Sequence, residues 1–173
     1  SVYLEKGADY IYSMLEKYDP ESALVIHKNN VKRVVLSREL SLEEIRYIKE
    51  NYGKEIPENV CFHFEIAGDI LTEDTLEILS QMPKGTVQLE IGMQSFNEET
   101  LKLINRKTNT KKLVENVKKL ISFNNMHIHI DLIAGLTGED FESFRRSFNI
   151  GYSLKANMLQ MGFLKLLYGA DMR

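Results

Sequence analysis

Three segments of this sequence alternate polar and apolar side chains with a period of two. In the first, Cys61, His63, Glu65, Ala67 and Asp69 share one face, and Val60, Phe62, Phe64 and Ile66 the other. In the second, Gln88, Glu90, Gly92 and Gln94 oppose Val87, Leu89, Ile91 and Met93; in the third, His127, His129 and Asp131 oppose Ile128, Ile130 and Leu132. Period two marks β-strands with unlike faces. Each is followed by a helical stretch long enough for a crossover, which argues for a parallel sheet. A doubly wound sheet has both faces covered, so its strands read as continuous apolar runs; these do not. The arrangement that satisfies all three is an α/β fold of the partial (β/α) barrel type. Helices pack outside on the apolar rows, and the polar rows line a lumen able to hold a ligand.

The rest of the chain fits this plan. Residues 4–18 read as a helix with Tyr10 and Met14 on one side, and Pro20 opens a short helix over 20–27. Residues 31–37 (VKRVVLS) read as a buried strand. Ser41-Leu42-Glu43-Glu44 is a capping box for a helix running to about Tyr52, stopped by Gly53 and Pro57. Strands are expected at 60–67, 86–94, 126–134 and 158–166, making five with the first. Helices are expected at 72–82, 97–105, 111–124 and 140–154. The 111–124 helix carries a stripe of Leu113, Val117, Leu120 and Ile121; the last has Phe141, Phe144 and Phe148 on one face. Residues 1–30 then form an N-terminal helical segment and 31–173 the partial barrel.

Composition narrows the function. A net charge of −3 makes no electrostatic case for nucleic acid or an anionic membrane. No apolar run approaches the roughly 20 residues that span a bilayer, and the start has no signal-peptide pattern. The single cysteine, Cys61, allows no internal disulfide and suits a reducing, cytoplasmic compartment. Cys61 itself reads as a buried, inert strand residue. The expected partner is a small molecule.

Three groups of residues are candidates for chemistry. His127 and His129, two apart on one strand face, have the spacing of a metal-binding pair, with carboxylates from neighbouring strands as further ligands, as in metal-dependent hydrolases. Packing and hydrogen bonding in the lumen account for them better, because no second strong ligand pair is evident; His63 is a single ligand and His27 sits in a short helix. Glu65, Glu90 and Asp131 are suited to acid–base work and equally to ion pairing with Arg38 or Lys165. The run IAGLTGED (133–140) is a glycine turn between strand and helix, whose free N–H groups suit an anionic or polar ligand. Arg106 ends a helix, where a cation favours the dipole.

Taken together, EIGMQSFNEETLKLINRKT, HIHIDLIAGLTGEDFESF and NMLQMGFLKLLYGADMR resemble the C-terminal part of a radical S-adenosylmethionine (SAM) enzyme core. The likeness is closest to the cobalamin-domain-containing branch labelled Mg-protoporphyrin IX monomethyl ester oxidative cyclase, and the same motifs occur in oxygen-independent coproporphyrinogen III oxidases. It covers roughly residues 62–173. The resemblance implies a three-quarter (βα)6 barrel and an oxidoreductase-like enzyme in which a [4Fe–4S] cluster cleaves SAM to a 5′-deoxyadenosyl radical. It also implies roles: Glu65 at the amino or ribose part of SAM, Gln94 at its ribose or carboxylate region, and Arg106 paired with its carboxylate. Asp131 would bind ribose hydroxyls, with Ile133, Gly162 and Phe163 against adenine. Glu90 would face the lumen. The C-x3-C-x2-C cluster motif is absent, since Cys61 stands alone. The chain is therefore expected to be part of a longer protein, with cobalamin as a further cofactor in an upstream domain, and to be inactive by itself. Its 31–37 strand is expected to be an exposed edge that favours homodimerisation. A metal-dependent hydrolase using His127 and His129, or a non-catalytic binding barrel, is the alternative.

Overall fold

The computed structural model describes residues 40–165, apart from 57 and 59, together with Ser13, Glu16 and Lys17. Ser13, Glu16 and Lys17 are helical, as expected for 4–18; the rest of that helix, the helix at 20–27, the strand at 31–37, His27 and Arg38 lie outside the described residues. The chain divides into two compact units, Ser1–Val60 and Cys61–Arg173.

In the first unit, helix α1 spans Leu42–Asn51. Its capping box forms as expected: the Glu44 N–H donates to Ser41 Oγ at 3.2 Å, and the Ser41 N–H donates to Glu44 Oε2 at 2.9 Å. The chain leaves the helix through Tyr52, which is extended, and Gly53, whose φ of +77° favours glycine.

The second unit is a four-stranded parallel sheet in the order β1-β2-β3-β4: Phe62–Ile66, Val87–Gln94, His127–Ala134 and Met158–Phe163. The connections are helical: α2 (Glu73–Ser80), α3 (Glu98–Leu103) with α4 (Thr110–Phe123), and α5 (Phe141–Ser153). A polar side chain caps each one: Thr72, Asn97, Asn109 and Asp140 accept from backbone N–H groups of their first turns. The observed α/β architecture is the expected one, and four of the expected strands are present in parallel order.

The apolar rows form the core. Val87, Leu89, Ile91, Met93, Ile128, Ile130 and Leu132 are each at most 1% exposed. Leu113, Val117 and Leu120 of α4 are equally buried, as their spacing predicts. Asn116 is buried beside them and donates from Nδ2 to Gly68 O at 2.8 Å. A Cβ on Gly68 would lie 2.7 Å from Leu113 Cδ1 and 3.1 Å from Ile91 Cγ2, so a larger residue here would displace core side chains.

Helix α5 departs from its aromatic pattern. Phe141 is 76% exposed, whereas Ser143, Ser147 and Gly151, four apart, are buried. A Cβ on Gly151 would be 3.4 Å from Leu132 Cδ1 and 3.6 Å from Leu159 Cδ1. Small residues let the helix lie close on the sheet, and the aromatic face is displaced to the side, where Phe148 stacks on Tyr152. Cys61, expected to be a buried strand residue, lies just before β1 and is exposed. No helix among the described residues is long and apolar enough to cross a membrane.

Candidate functional site

Strand register stacks the polar rows into layers. His63, Gln88 and His127 are lateral neighbours in the first layer. Glu65, Glu90, His129 and Met158 follow, then Gly92, Asp131 and Gln160. In the next, Ile133 pairs with Gly162. Neighbours in register point to the same face, so the polar residues expected to line a lumen share one face of the sheet.

Its centre is a chain of charged and imidazole groups. Glu90 Oε2 lies 3.0 Å from His63 Nε2 and 3.9 Å from His129 Nδ1. His129 Nε2 lies 3.0 Å from Asp131 Oδ1. Glu90 thus takes imidazole partners among the described residues. Burial pushes the Asp131 carboxyl above the usual carboxylate range; Glu90 and Glu65 add to the rise and His129 opposes it. His127 is one layer away: it neighbours Gln88, and the compact group is Glu90, His129 and Asp131. Asp69 leaves the polar row as well. The strand ends at Ile66, and Asp69 Oδ2 accepts the Asn109 N–H at 2.9 Å, next to the start of α4.

A second feature forms at the carboxyl end of β2. The β2–β3 register slips between Gly92 and Gln94, and Gln94 takes a φ of +64°, unusual for a residue with a side chain. Its amide folds back over Gly92, where a Cβ would collide with Gln94 Nε2. Arg106 reaches the same place. Helix α3 ends in a Schellman motif: the Asn105 N–H bonds to Lys102 O at 3.0 Å and the Arg106 N–H to Leu101 O at 2.8 Å, with Asn105 at φ +56°. The motif reverses the chain, and Arg106 Nη2 donates to Gly92 O at 2.7 Å. Arg106 is therefore held by a strand carbonyl rather than by the helix dipole. Its Nε is buried with no hydrogen-bond partner among the described residues, a donor left unsatisfied, as few buried donors are.

A hydroxyl network that the alternating pattern does not announce positions this end. Ser95 Oγ donates to Glu139 Oε1 at 2.5 Å, and Ser147 Oγ accepts the Phe96 N–H at 3.0 Å. Asn97 Nδ2 donates to Ser143 Oγ at 2.8 Å. These bonds tie the β2–α3 turn to α5 and to the glycine turn after β3. The i, i+4 spacing of Ser143 and Ser147 was the available signal. Of the residues expected against adenine, Ile133 and Gly162 are paired; Phe163 is opposite Ala134 in the next register position, so it alternates to the other face, and it is 75% exposed. Glu65 is exposed in the Glu90 layer.

Residues 32–149, more than half of the chain, match the Radical SAM superfamily. The chain belongs to that superfamily. Its fold is similar to that of coproporphyrinogen III oxidase (HemN) from Escherichia coli, with a TM-score of 0.59 and 22% identity over 72% of this chain and 28% of that one. It is also similar to the radical SAM methyltransferase TsrM from Kitasatospora setae, solved with tryptophan substrate and a SAM analogue, with a TM-score of 0.57 and 12% identity over 70% of this chain and 23% of that one. Among curated proteins, a tRNA dimethylallyltransferase from Alkaliphilus metalliredigens is 35% identical over 79 residues, 44% of this chain and 23% of that protein. The chain spans less than a third of the length of each of these proteins.

Membership of the radical SAM superfamily implies SAM and a [4Fe–4S] cluster as cofactors. The residues present do not fit the cluster: it needs several thiolates, and this radical SAM chain has Cys61 alone. They do fit SAM, which carries an amino-acid carboxylate and a ribose, because the buried Arg106 Nε has no partner among the described residues and Asp131 stands on the same face as Gly92.

Proposed function

We propose that this chain supplies a SAM-binding wall of a radical SAM catalytic barrel. The observation that carries the reading is the convergence of Gly92, Gln94 and Arg106 at the carboxyl end of β2, one strand from Asp131. Ligands of parallel α/β sheets gather at the carboxyl ends of the strands. In this reading Arg106 binds the cofactor's carboxylate, its guanidinium held in place by Gly92 O. Gln94 contacts the ribose or carboxylate region, and Asp131 accepts from ribose hydroxyls. Ile133 covers adenine, and Gly162 beside it leaves a flat surface for the ring. Glu65 takes the amino or ribose part. When bound and reductively cleaved, the cofactor supplies a 5′-deoxyadenosyl radical for hydrogen abstraction. The residues of this chain orient the cofactor and wall off solvent.

The substrate proposed is a tetrapyrrole or a related molecule, and the reaction an oxidation. This is supported by the fold likeness to coproporphyrinogen III oxidase. The cysteine motif would come from a longer polypeptide of which this chain is part.

The test is equilibrium binding of SAM to that longer, cluster-reconstituted polypeptide. Loss of a charge-assisted pair costs about 1.5–3 kcal/mol, so Arg106→Ala should weaken affinity by roughly 10- to 100-fold. Unchanged affinity in both Arg106→Ala and Asp131→Ala overturns the assignment.

A further inference from the structure

The imidazole and two carboxylates at the centre of the sheet form a compact set of donors that the SAM reading does not use, apart from one oxygen of Asp131. Glu90, His129 and Asp131 each offer a ligand atom, and these atoms all lie within 4.8 Å of one another. His129 is only 7% exposed. Its Nε2 and the Asp131 Oδ1 are both buried and both lack a hydrogen-bond partner among the described residues. They nevertheless sit 3.0 Å apart. Two buried polar atoms that face each other without making a hydrogen bond are rare in folded proteins. That separation is close to the edge expected between two donors bound to one ion at about 2.0–2.2 Å.

We propose that Glu90, His129 and Asp131 bind one divalent first-row transition ion, through an imidazole nitrogen and one oxygen from each carboxylate. The register explains the grouping. Glu90 and His129 are direct neighbours on β2 and β3, and Asp131 follows two residues on, beside Gly92, which has no side chain to fill the space. His63 provides the outer support: its Nε2 lies 3.0 Å from Glu90 Oε2 and orients that carboxylate, as partners of metal-bound carboxylates do. A mixed nitrogen and oxygen set suits Zn2+, Mn2+ or Fe2+ better than Mg2+ or Ca2+, which take oxygen donors. Three protein ligands leave further coordination positions for water or a substrate oxygen, as in catalytic sites rather than closed structural ones. The Asp131 oxygen not used by the metal remains for the ribose.

The experiment is titration of the chelator-treated 173-residue chain with Zn2+ by calorimetry, and with Co2+ by visible absorption. The expected result is one equivalent bound. Affinity should fall at least about tenfold in Glu90→Gln and Asp131→Asn, which preserve shape, and be lost in His129→Ala. His127→Ala, in the neighbouring layer, should bind as the parent does. Circular dichroism identifies a variant that has failed to fold; if His129→Ala is such a variant, the two isosteric changes decide the matter. Absence of stoichiometric binding, or binding that survives both isosteric changes, overturns the site, as does loss in His127→Ala. Arg106→Ala should keep the metal affinity while losing SAM affinity, so this site and the SAM assignment fail separately.

Discussion

Strand β2 has two faces made by alternate residues of one segment, and they serve different ends. On one side Val87, Leu89, Ile91 and Met93 are buried to 1% exposure or less. On the other, Gln88, Glu90, Gly92 and Gln94 are all half-buried. The apolar face is close-packed under helices: a Cβ on Gly68 would press on Leu113 and Ile91 at 2.7 and 3.1 Å, and one on Gly151 would touch Leu132 at 3.4 Å. The polar face carries left-handed backbone at Gln94, a register slip and buried polar atoms without hydrogen-bond partners among the described residues. Packing density and satisfied polar groups stabilise a fold; strained backbone and orphaned donors are tolerated where a ligand is to be held. The contrast therefore supports the polar face as the proposed binding surface without reference to any relative.

Three substitutions test this contrast. The largest effect is expected from Ile130→Ala on the apolar face. The side chain is 0% exposed, and such truncations cost about 2–5 kcal/mol, read as a shift in the urea midpoint. A loss below about 1 kcal/mol would mean that this face is not the close-packed one. Next is Gly68→Ala, which adds one methyl against Leu113 and Ile91 and should cost about 1–3 kcal/mol; a neutral result would show slack in the packing.

The smallest effect has the opposite sign. Asp131 is raised chiefly by burial, with Glu90 and Glu65 adding to it, so its folded state binds a proton more tightly than the unfolded chain does. Its charge therefore destabilises the fold at pH values above the raised folded value. This penalty fades as the pH falls through that value towards the ordinary carboxylate range, about 3.9. Asp131→Asn should accordingly melt slightly higher than the parent at pH 7 in the absence of metal, with the two curves converging in acid. A variant that melts lower at every pH would make Asp131 a structural residue and weaken the division between the faces.

Much of the fold was legible because its signals are local. The capping residues Ser41, Thr72, Asn97 and Asp140 and the stripe on α4 all mark their elements near the observed ends. The polar row was legible too, though Asp69 was miscounted: alternation continues on paper after the strand has ended at Ile66. The aromatic face of α5 misled for a related reason. Periodicity shows that a helix has unlike faces, but the clearance to the sheet decides which one is buried, and here Ser143, Ser147 and Gly151 fit where phenylalanine does not. Cys61 misled because an apolar neighbourhood in sequence says little about exposure at the start of a strand.

The sequence by itself determined the strands, their two faces, the helices that join them and hence the parallel sheet. These follow from backbone geometry, which repeats every two or 3.6 residues whatever lies nearby. Only the tertiary structure decided that Glu90 stands beside His129, that His127 belongs to another layer, and that Arg106 turns back onto Gly92. Register between strands depends on packing summed over the whole sheet. The return of Arg106 depends on a left-handed residue, Asn105, at the end of a six-residue helix. Neither is encoded at the position where the chemistry would occur, so spacing alone brought His127 and His129 together, whereas the folded chain joins His129 to two carboxylates.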